Sequence, residues 1–331
     1  MLRTSREFLL AVVVACLVAP ALVPTAAQVD DQLMAKRRVF SPIGPGLRAL
    51  RHGADGKYYL LASPGVGITI FDSAEKQLKV IGAPAAAGHS VIAFGEDCDV
   101  DGQGNIYVAD RGNNLIQVFG PDGKLLRSIS FNSPVSVASL PEGEVAVTAP
   151  RGLHLVTVFA SNGRLVREFG DPQQISARDD LNRYVSIGRL ASDPQGRLYY
   201  GYTYLPEPDV RQYDRFGFAK LDFQFTSIEA FTEARAMRRE IDRQERRSDP
   251  PRLLPLLTAF GVDPVNGDVW VALRNTLLHF DSEGNRRSEY QIYTKDGARL
   301  EANVLLVEEN RLLIGSDPLG VWEFGRPDRK P

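Results

Sequence analysis

The chain has 331 residues, of which 44% are hydrophobic and 24% are charged, so it has enough apolar material for a large folded core. Its 39 basic and 41 acidic residues leave a formal net charge of −2, and no long basic run occurs outside one helical segment. This charge balance argues against a nucleic-acid partner.

The first 27 residues predict a targeting leader of the bacterial export type. Arg3 and Arg6 form a basic start, residues 8–23 are almost entirely apolar, and small residues precede a cleavage position after Ala27. We therefore expect a periplasmic or secreted protein whose mature chain begins after Ala27. Residues 28–37 are polar and are expected to form a linker.

A lipid anchor is the alternative to simple cleavage. Residues 13–16 end in Cys16 and loosely match the signal at which bacterial lipoproteins are lipidated. The apolar run continues beyond Cys16 to Val23, which favours cleavage after Ala27. No other apolar run is long enough to cross a bilayer, so we expect no transmembrane span in the mature chain.

A repeated pattern of short apolar runs begins most clearly at residues 101–129. Runs at 106–109, 115–119 and 125–129 are rich in β-branched and aromatic residues, and Gly- and Asn-rich turns separate them. Five similar units precede or follow at a spacing of about forty residues, which is typical of propeller blades with four strands. The six units cover about residues 45–82, 91–130, 133–170, 184–225, 257–294 and 297–327.

Residues 101–120 resemble the NHL repeat. They contain Asp-x-x-Gly-Asn-Ile-Tyr-Val-Ala-Asp ending at Asp110, then Asn113 and Ile-Gln-Val-Phe ending at Phe119. The resemblance implies an all-β protein, a six-bladed β-propeller of four-stranded antiparallel blades over about residues 38–327. It implies little about activity. The other five units keep the strand pattern but lose the Asp-x-x-Asn loop.

Two features complete the predicted ring. Blade six lacks a fourth strand, and we expect residues 38–42 to supply it and remove the open edges. Apolar residues at helical spacing predict a helix inserted between blades four and five, at about residues 226–249. This helix either packs on the side or rim of the propeller or forms a lid or docking arm over one channel mouth. Residues 328–331 are expected to be a tail.

Ligand binding is expected at the channel mouth, where the innermost strands begin. The candidate ligand-binding residues are Arg48, Glu96, Asp97, Asp99 and Arg189. Three carboxylates on one inner strand repel each other unless a cation compensates them. Calcium bound by Glu96, Asp97 and Asp99 is one solution, Arg48 and Arg189 are another, and simple solvation at a wet mouth is a third.

Other polar residues are predicted to have structural roles. Asp110 and Asn113 lie in the best-preserved loop, where such side chains usually cap backbone donors. The four histidines occupy different places in the repeat, so a histidine-bound zinc site is not expected; they are His52, His89, His154 and His279. No catalytic residue is assigned. The favoured interpretation is a binding or scaffold module for a protein, peptide or glycan, and the alternative is a metal-dependent hydrolase or lactonase that uses the acidic cluster.

Overall fold

Six sheets form a ring in the computed structural model, which describes residues 31–83, 91–150, 152–224 and 228–329. Within each sheet the strands from one repeat, four in blades one to five and three in blade six, are antiparallel and follow each other in chain order. The first strand of every repeat lies beside the first strands of the two neighbouring repeats, so these six strands surround the central channel. The prediction of a six-bladed propeller with four-stranded blades is confirmed. The predicted leader, including Cys16 and Ala27, lies outside the described residues.

Two strands precede the first blade, β1 (Asp31–Met34) and β2 (Arg37–Val39). Blade one contains β3 (Leu47–His52), β4 (Tyr58–Ala62), β5 (Gly67–Phe71) and β6 (Gln77–Ile81). Blade two contains β7 (Gly95–Val100), β8 (Ile106–Asp110), β9 (Leu115–Phe119) and β10 (Leu125–Ser130). Blade three contains β11 (Ser136–Ser139), β12 (Val145–Thr148), β13 (Val156–Phe159) and β14 (Leu165–Phe169), with a single 3-10 turn at Pro141–Gly143.

Blade four contains β15 (Gly188–Ser192), β16 (Leu198–Tyr202), β17 (Asp209–Tyr213) and β18 (Ala219–Gln224). Blade five contains β19 (Ala259–Val262), β20 (Val269–Leu273), β21 (Thr276–Phe280) and β22 (Arg286–Tyr293). Blade six contains β23 (Val304–Val307), β24 (Arg311–Ser316) and β25 (Gly320–Gly325). The helices are α1 (Asp179–Val185), before blade four, and α2 (Ile228–Glu245), between blades four and five.

The tight turns of the blades are built by aspartate side chains. In blade two, Asp101 accepts hydrogen bonds from the backbone N–H groups of Gln103 and Asn105, each at 2.9 Å. Gly104 in this turn has a φ of +82°, which glycine adopts without steric cost. Equivalent turns use Asp72, Asp122, Asp193, Asp214 and Asp281.

The core lies between the blades. Strands β4, β8, β16 and β20 are buried at every position, because each sheet packs its two faces against its two neighbours. One such cluster joins blades one and two through Tyr59, Ile70, Cys98 and Ile106. Burial raises the pKa of the Cys98 thiol, so this cysteine behaves as a small apolar core residue.

The N-terminal segment closes the ring as expected, and it also adds a strand to blade five. Strand β2 pairs antiparallel with β25 and supplies the fourth strand of blade six. The prediction of a linker over residues 28–37 is wrong for its described part, because β1 pairs in parallel with β22 and gives blade five a fifth strand. An edge strand satisfies its backbone by pairing on one side only, so its polar side chains can remain in water. The predicted tail also departs from expectation at Arg329, which pairs with Asp263 at 3.1 Å.

Glu308 lies at the ring closure between blades six and one. Its carboxylate is 2.7 Å from Nδ1 of His52 and accepts hydrogen bonds from Tyr58 Oη at 2.9 Å and Arg311 Nε at 2.6 Å. Burial opposes the charged form, but the bonds from His52, Arg311 and Tyr58 outweigh it and lower the pKa of Glu308 to about 2. The closure is therefore stabilised by a charged group as well as by the strand pairing.

The inserted helix packs on the propeller. Met237 and Ile241 of α2 are buried in one apolar cluster with Leu181 and Val185 of α1 and with residues of blades three and four. Helix α2 therefore confirms the predicted insertion, whereas α1 was not predicted. Neither described helix is apolar enough over a sufficient length to cross a bilayer.

Candidate functional site

A cavity of about 940 Å³ lies where the innermost strands begin. All six blades contribute to its lining, through Leu47 and Arg48, Glu96, Val135, Arg189, Leu257, and Asn303. A further part of its wall comes from two segments that depart from the blade pattern, α1 and the loop that follows α2. These segments contribute Asp180, Arg183, Tyr184, Ser248, Pro250, Pro251 and Pro255.

The two wall segments are fastened to each other by Arg178 and Glu245. Glu245 at the end of α2 accepts hydrogen bonds from Ser176 Oγ at 2.7 Å and from the backbone N–H of Ala177 at 2.6 Å. Arg178 donates to the backbone carbonyl of Gln244 at 2.7 Å. The end of α2 is thus attached to the segment that leads into α1, and helix and loop form the rim of the mouth.

Three of the five predicted ligand-binding residues meet in this cavity. The carboxylate of Glu96 is 3.9 Å from Nη1 of Arg48, and Arg189 Nη1 donates to the backbone carbonyl of Glu96 at 3.4 Å. Arg111 was not predicted, yet its Nη1 lies 3.0 Å from the Glu96 carboxylate. Its position directly after the preserved Asp110 is the signal that could have identified it, because the β8–β9 loop opens toward the mouth.

Asp97 and Asp99 lie on the same strand as Glu96 but in a different environment. Arg51 compensates both, with Nη2 at 2.8 Å from Asp97 and Nε at 3.3 Å from Asp99. Ser136 Oγ also donates to Asp97, and the backbone N–H of Ser139 donates to Asp99 at 2.7 Å. Burial raises the pKa of Asp99. Burial also opposes the charged form of Arg51. The carboxylates of Asp97 and Asp99 outweigh this effect and raise the pKa of Arg51.

The arrangement does not match the calcium site considered from the sequence. Calcium requires six to eight oxygen ligands around one point, whereas Glu96, Asp97 and Asp99 do not converge and each already has an arginine partner. Within the described ranges, the group that brings three potential ligand atoms within 4.8 Å of one another is Asp268, His279 and Asp328. Both oxygens of Asp328 accept hydrogen bonds from Arg326, at 2.8 and 2.6 Å.

Asp110 and Asn113 have the capping role predicted for them. Asp110 is fully buried and accepts hydrogen bonds from the backbone N–H of Phe94 at 3.0 Å and of Ala93 at 3.2 Å. Asn113 and Gln117 donate their side-chain amides to the same carboxylate, at 2.7 and 2.6 Å. Asp110 and Asn113 are therefore structural, because their side chains are hydrogen-bonded within their own blade.

The described histidines have separate partners. His52 pairs with Glu308, His154 lies 3.8 Å from Asp171, and His279 lies 2.9 Å from Asp268. The fourth, His89, lies outside the described residues.

Comparison with known proteins agrees with the fold. Residues 99–119 match the family model of the NHL repeat. A search of curated proteins by sequence gives no match. The chain is therefore a six-bladed β-propeller that carries an NHL repeat in its second blade.

Several solved structures are similar. A streptogramin B lyase structure has 13% identity and a TM-score of 0.54, over 89% of this chain and 86% of that chain. Virginiamycin B lyase from Staphylococcus aureus has 11% identity and a TM-score of 0.51, over 86% and 85%. Hydrazine synthase from Kuenenia stuttgartiensis has 10% identity and a TM-score of 0.53, over 88% and 98%. At these identities the likeness concerns the fold alone.

Proposed function

We propose that the chain is a binding module that captures a segment of a partner protein or a peptide in the mouth cavity. The observation that carries this proposal is the origin of the cavity wall. The blades alone make a ring, and the two insertions that break the repeat, α1 and the loop after α2, both contribute to the same cavity of about 940 Å³. A cavity of this size suits a ligand that buries most of its surface.

Binding is favoured over hydrolysis by the state of the acidic residues. The alternative, a metal-dependent hydrolase or lactonase, needs carboxylates that are available to a metal or a substrate. Asp97 and Asp99 are held by Arg51, and Glu96 is held by Arg111. Two of the similar structures are lyases by name, but their low identity gives no reason to transfer that activity.

A blocked cavity tests the proposal. Ser248 lines the cavity from the loop after α2, so Ser248→Trp narrows it. Ser161 is exposed in the turn between β13 and β14, at the opposite face of the ring, so Ser161→Trp is the matched control. Peptides enriched from a displayed random library on the wild-type protein should bind the control unchanged and bind Ser248→Trp at least about tenfold more weakly. A library without enriched peptides, or equal binding to both variants, would refute the proposal.

We also propose that the protein acts outside the cytoplasm after removal of its leader. The supporting observation is the order of basic, apolar and small residues before Ala27. Mass spectrometry of the mature N-terminus, purified from an envelope fraction, distinguishes the two expected products. A chain that starts at Gln28 supports simple cleavage, a lipidated Cys16 supports the anchor, and an intact Met1 contradicts export.

A further inference from the structure

We propose that the captured segment is an acidic peptide, and that Arg183 and Arg189 bind its carboxylates. This inference rests on the proposed function and adds the chemical class of the ligand. It derives from three observations: the excess of positive charge in the cavity lining, an arginine N–H group that has no hydrogen-bond acceptor among the described residues, and the apolar walls of the cavity.

The cavity has more cations than anions. Its positively charged lining residues are Arg48, Arg111, Arg183 and Arg189, and its negatively charged lining residues are Glu96 and Asp180. Asp180 is bound outside the lining by Arg178 at 2.6 Å, and Glu96 is shared by Arg111 and Arg48. Within the described part of the chain, Arg183 and Arg189 therefore have no carboxylate at ion-pair distance.

The acidic residues deeper in the channel do not neutralise the excess positive charge of the cavity lining. Asp97 and Asp99 are compensated by Arg51, further along the channel. Arg189 retains most of its donors, because among the residues that the structure describes its hydrogen bond is the 3.4 Å contact with the carbonyl of Glu96. A guanidinium has five N–H donors in a planar fork that matches a carboxylate, so an acidic side chain is the ligand group that fits it.

Arg48 adds a donor that the fold itself leaves without an acceptor. Its guanidinium lies 5.2 Å from the ring centre of Phe94, which holds the side chain in place. Its Nε is buried and has no hydrogen-bond partner within the described residues. An unsatisfied buried donor is costly, so a rotation of the guanidinium toward an oxygen atom of a bound ligand would be favourable.

The remaining walls suit a peptide better than an acidic sugar. The rings of Tyr184 and Tyr204 lie 5.0 Å apart at an angle of 45° beside the arginines, and Pro250 and Pro251 line the rim. Burial raises the pKa of Tyr204 to about 12, so its hydroxyl stays neutral and does not offset the positive charge. Aromatic and proline surfaces bind the apolar side chains of an extended segment, while the arginines bind the acidic ones.

Matched fluorescent probes test the ligand class. We would measure fluorescence anisotropy with a labelled octapeptide of alternating Asp and Leu, the same peptide with Asn in place of Asp, and a labelled oligogalacturonate. The proteins are the wild type, Arg183→Gln, Arg189→Gln, and the control Arg164→Gln, whose exposed side chain lies at the opposite face of blade three. Arg183 is on the surface of α1, so its replacement leaves the fold intact even if Arg189→Gln is destabilised.

The expected result is selective binding of the acidic peptide. The wild type and the control should prefer it over the Asn peptide by about tenfold or more, and each cavity variant should weaken it by about three- to tenfold. The Arg189→Glu variant should instead prefer a Lys-Leu octapeptide. Equal binding of the Asp and Asn peptides, or unchanged binding to both cavity variants, would overturn the inference, as would binding of the oligogalacturonate alone. If neutral library peptides occupy the cavity, the inference fails while the proposed function stands.

Discussion

Replacing Glu308 by Gln removes the charge at the ring closure and leaves the shape of the side chain nearly unchanged. Glu308 follows β23 of blade six and contacts His52 and Tyr58 of blade one as well as Arg311 of its own blade. The bonds cross the point at which the two ends of the ring meet. We therefore expect Glu308→Gln to lower the free energy of unfolding of the propeller.

The size of the loss follows from the pKa of Glu308, which is lowered from 4.5 to about 2. At about 1.36 kcal/mol per pKa unit this shift corresponds to roughly 3 kcal/mol, which we reduce to about 2 kcal/mol because its partners are partly exposed to solvent. Because the folded-state pKa is depressed, the stabilisation is complete above pH 4.5 and is lost as the pH falls toward 2.

Urea unfolding followed by circular dichroism at pH 7 and pH 3 provides the assay. Glu309→Gln is the matched control, since Glu309 is the next residue and is mostly exposed, 4.0 Å from Arg329. At pH 7 we expect Glu308→Gln to be about 2 kcal/mol less stable than the wild type, and at pH 3 less than half of that difference should remain. A loss no larger than that of the control, or one that grows as the pH falls, would refute this account of the closure.

Three further substitutions test other parts of the structure. Arg51→Met should cost roughly 3 kcal/mol or more in urea unfolding, because Asp97 and Asp99 lose their shared partner, and an additional change of both to Asn should recover part of the loss. Asp110→Ala should cost about 2 kcal/mol and increase hydrogen exchange at residues 93–94, whose backbone donors it satisfies. Ile241→Ala should cost about 2–4 kcal/mol and expose α2 to limited proteolysis, and resistance of the helix would show that its packing is unimportant.

The fold could be predicted because every repeat has the same local pattern of short apolar runs separated by turn residues. The runs at 106–109 and 115–119 became β8 and β9, and the turn at 101–105 is formed by the side chain of Asp101. Each sheet is apolar on both faces, which only neighbouring sheets can bury, so the number of repeats indicates the number of blades. The missing strand of blade six had to come from the other end of the ring, and β2 supplies it.

Strand β1 and helix α1 could not be predicted in the same way. Strand β1 has four residues, and its parallel pairing with β22 depends on a neighbour that is more than 250 positions away in the chain. Helix α1 has seven residues, too few to be stable alone, and forms because Leu181 and Val185 are buried against α2 and blade four. In both elements the tertiary environment, and not a local pattern, determines the conformation.

The candidate site was predicted in part. Arg48, Glu96 and Arg189 were expected at the mouth because each lies near the start of an inner strand, and the cavity contains all three. Asp97 and Asp99 were grouped with Glu96 because they are adjacent in sequence. Successive side chains of a strand point to opposite faces of the sheet. Glu96 therefore faces the cavity, whereas Asp97 and Asp99 share a different environment beside Arg51.

The division between structural residues and cavity-lining residues follows the repeat itself. Where the chain keeps the NHL pattern, as at Asp110 and Asn113, the polar side chains form hydrogen bonds within their own blade. Where the chain departs from the pattern, at Glu96, Arg189 and α1, polar groups face the cavity. A ring of identical blades has the same chemistry at every sector of its mouth, so an asymmetric ligand can be recognised only through such departures. Under the proposal that the cavity binds an acidic peptide, Arg183 on α1 and Arg189 on blade four are the departures from the repeat that select it.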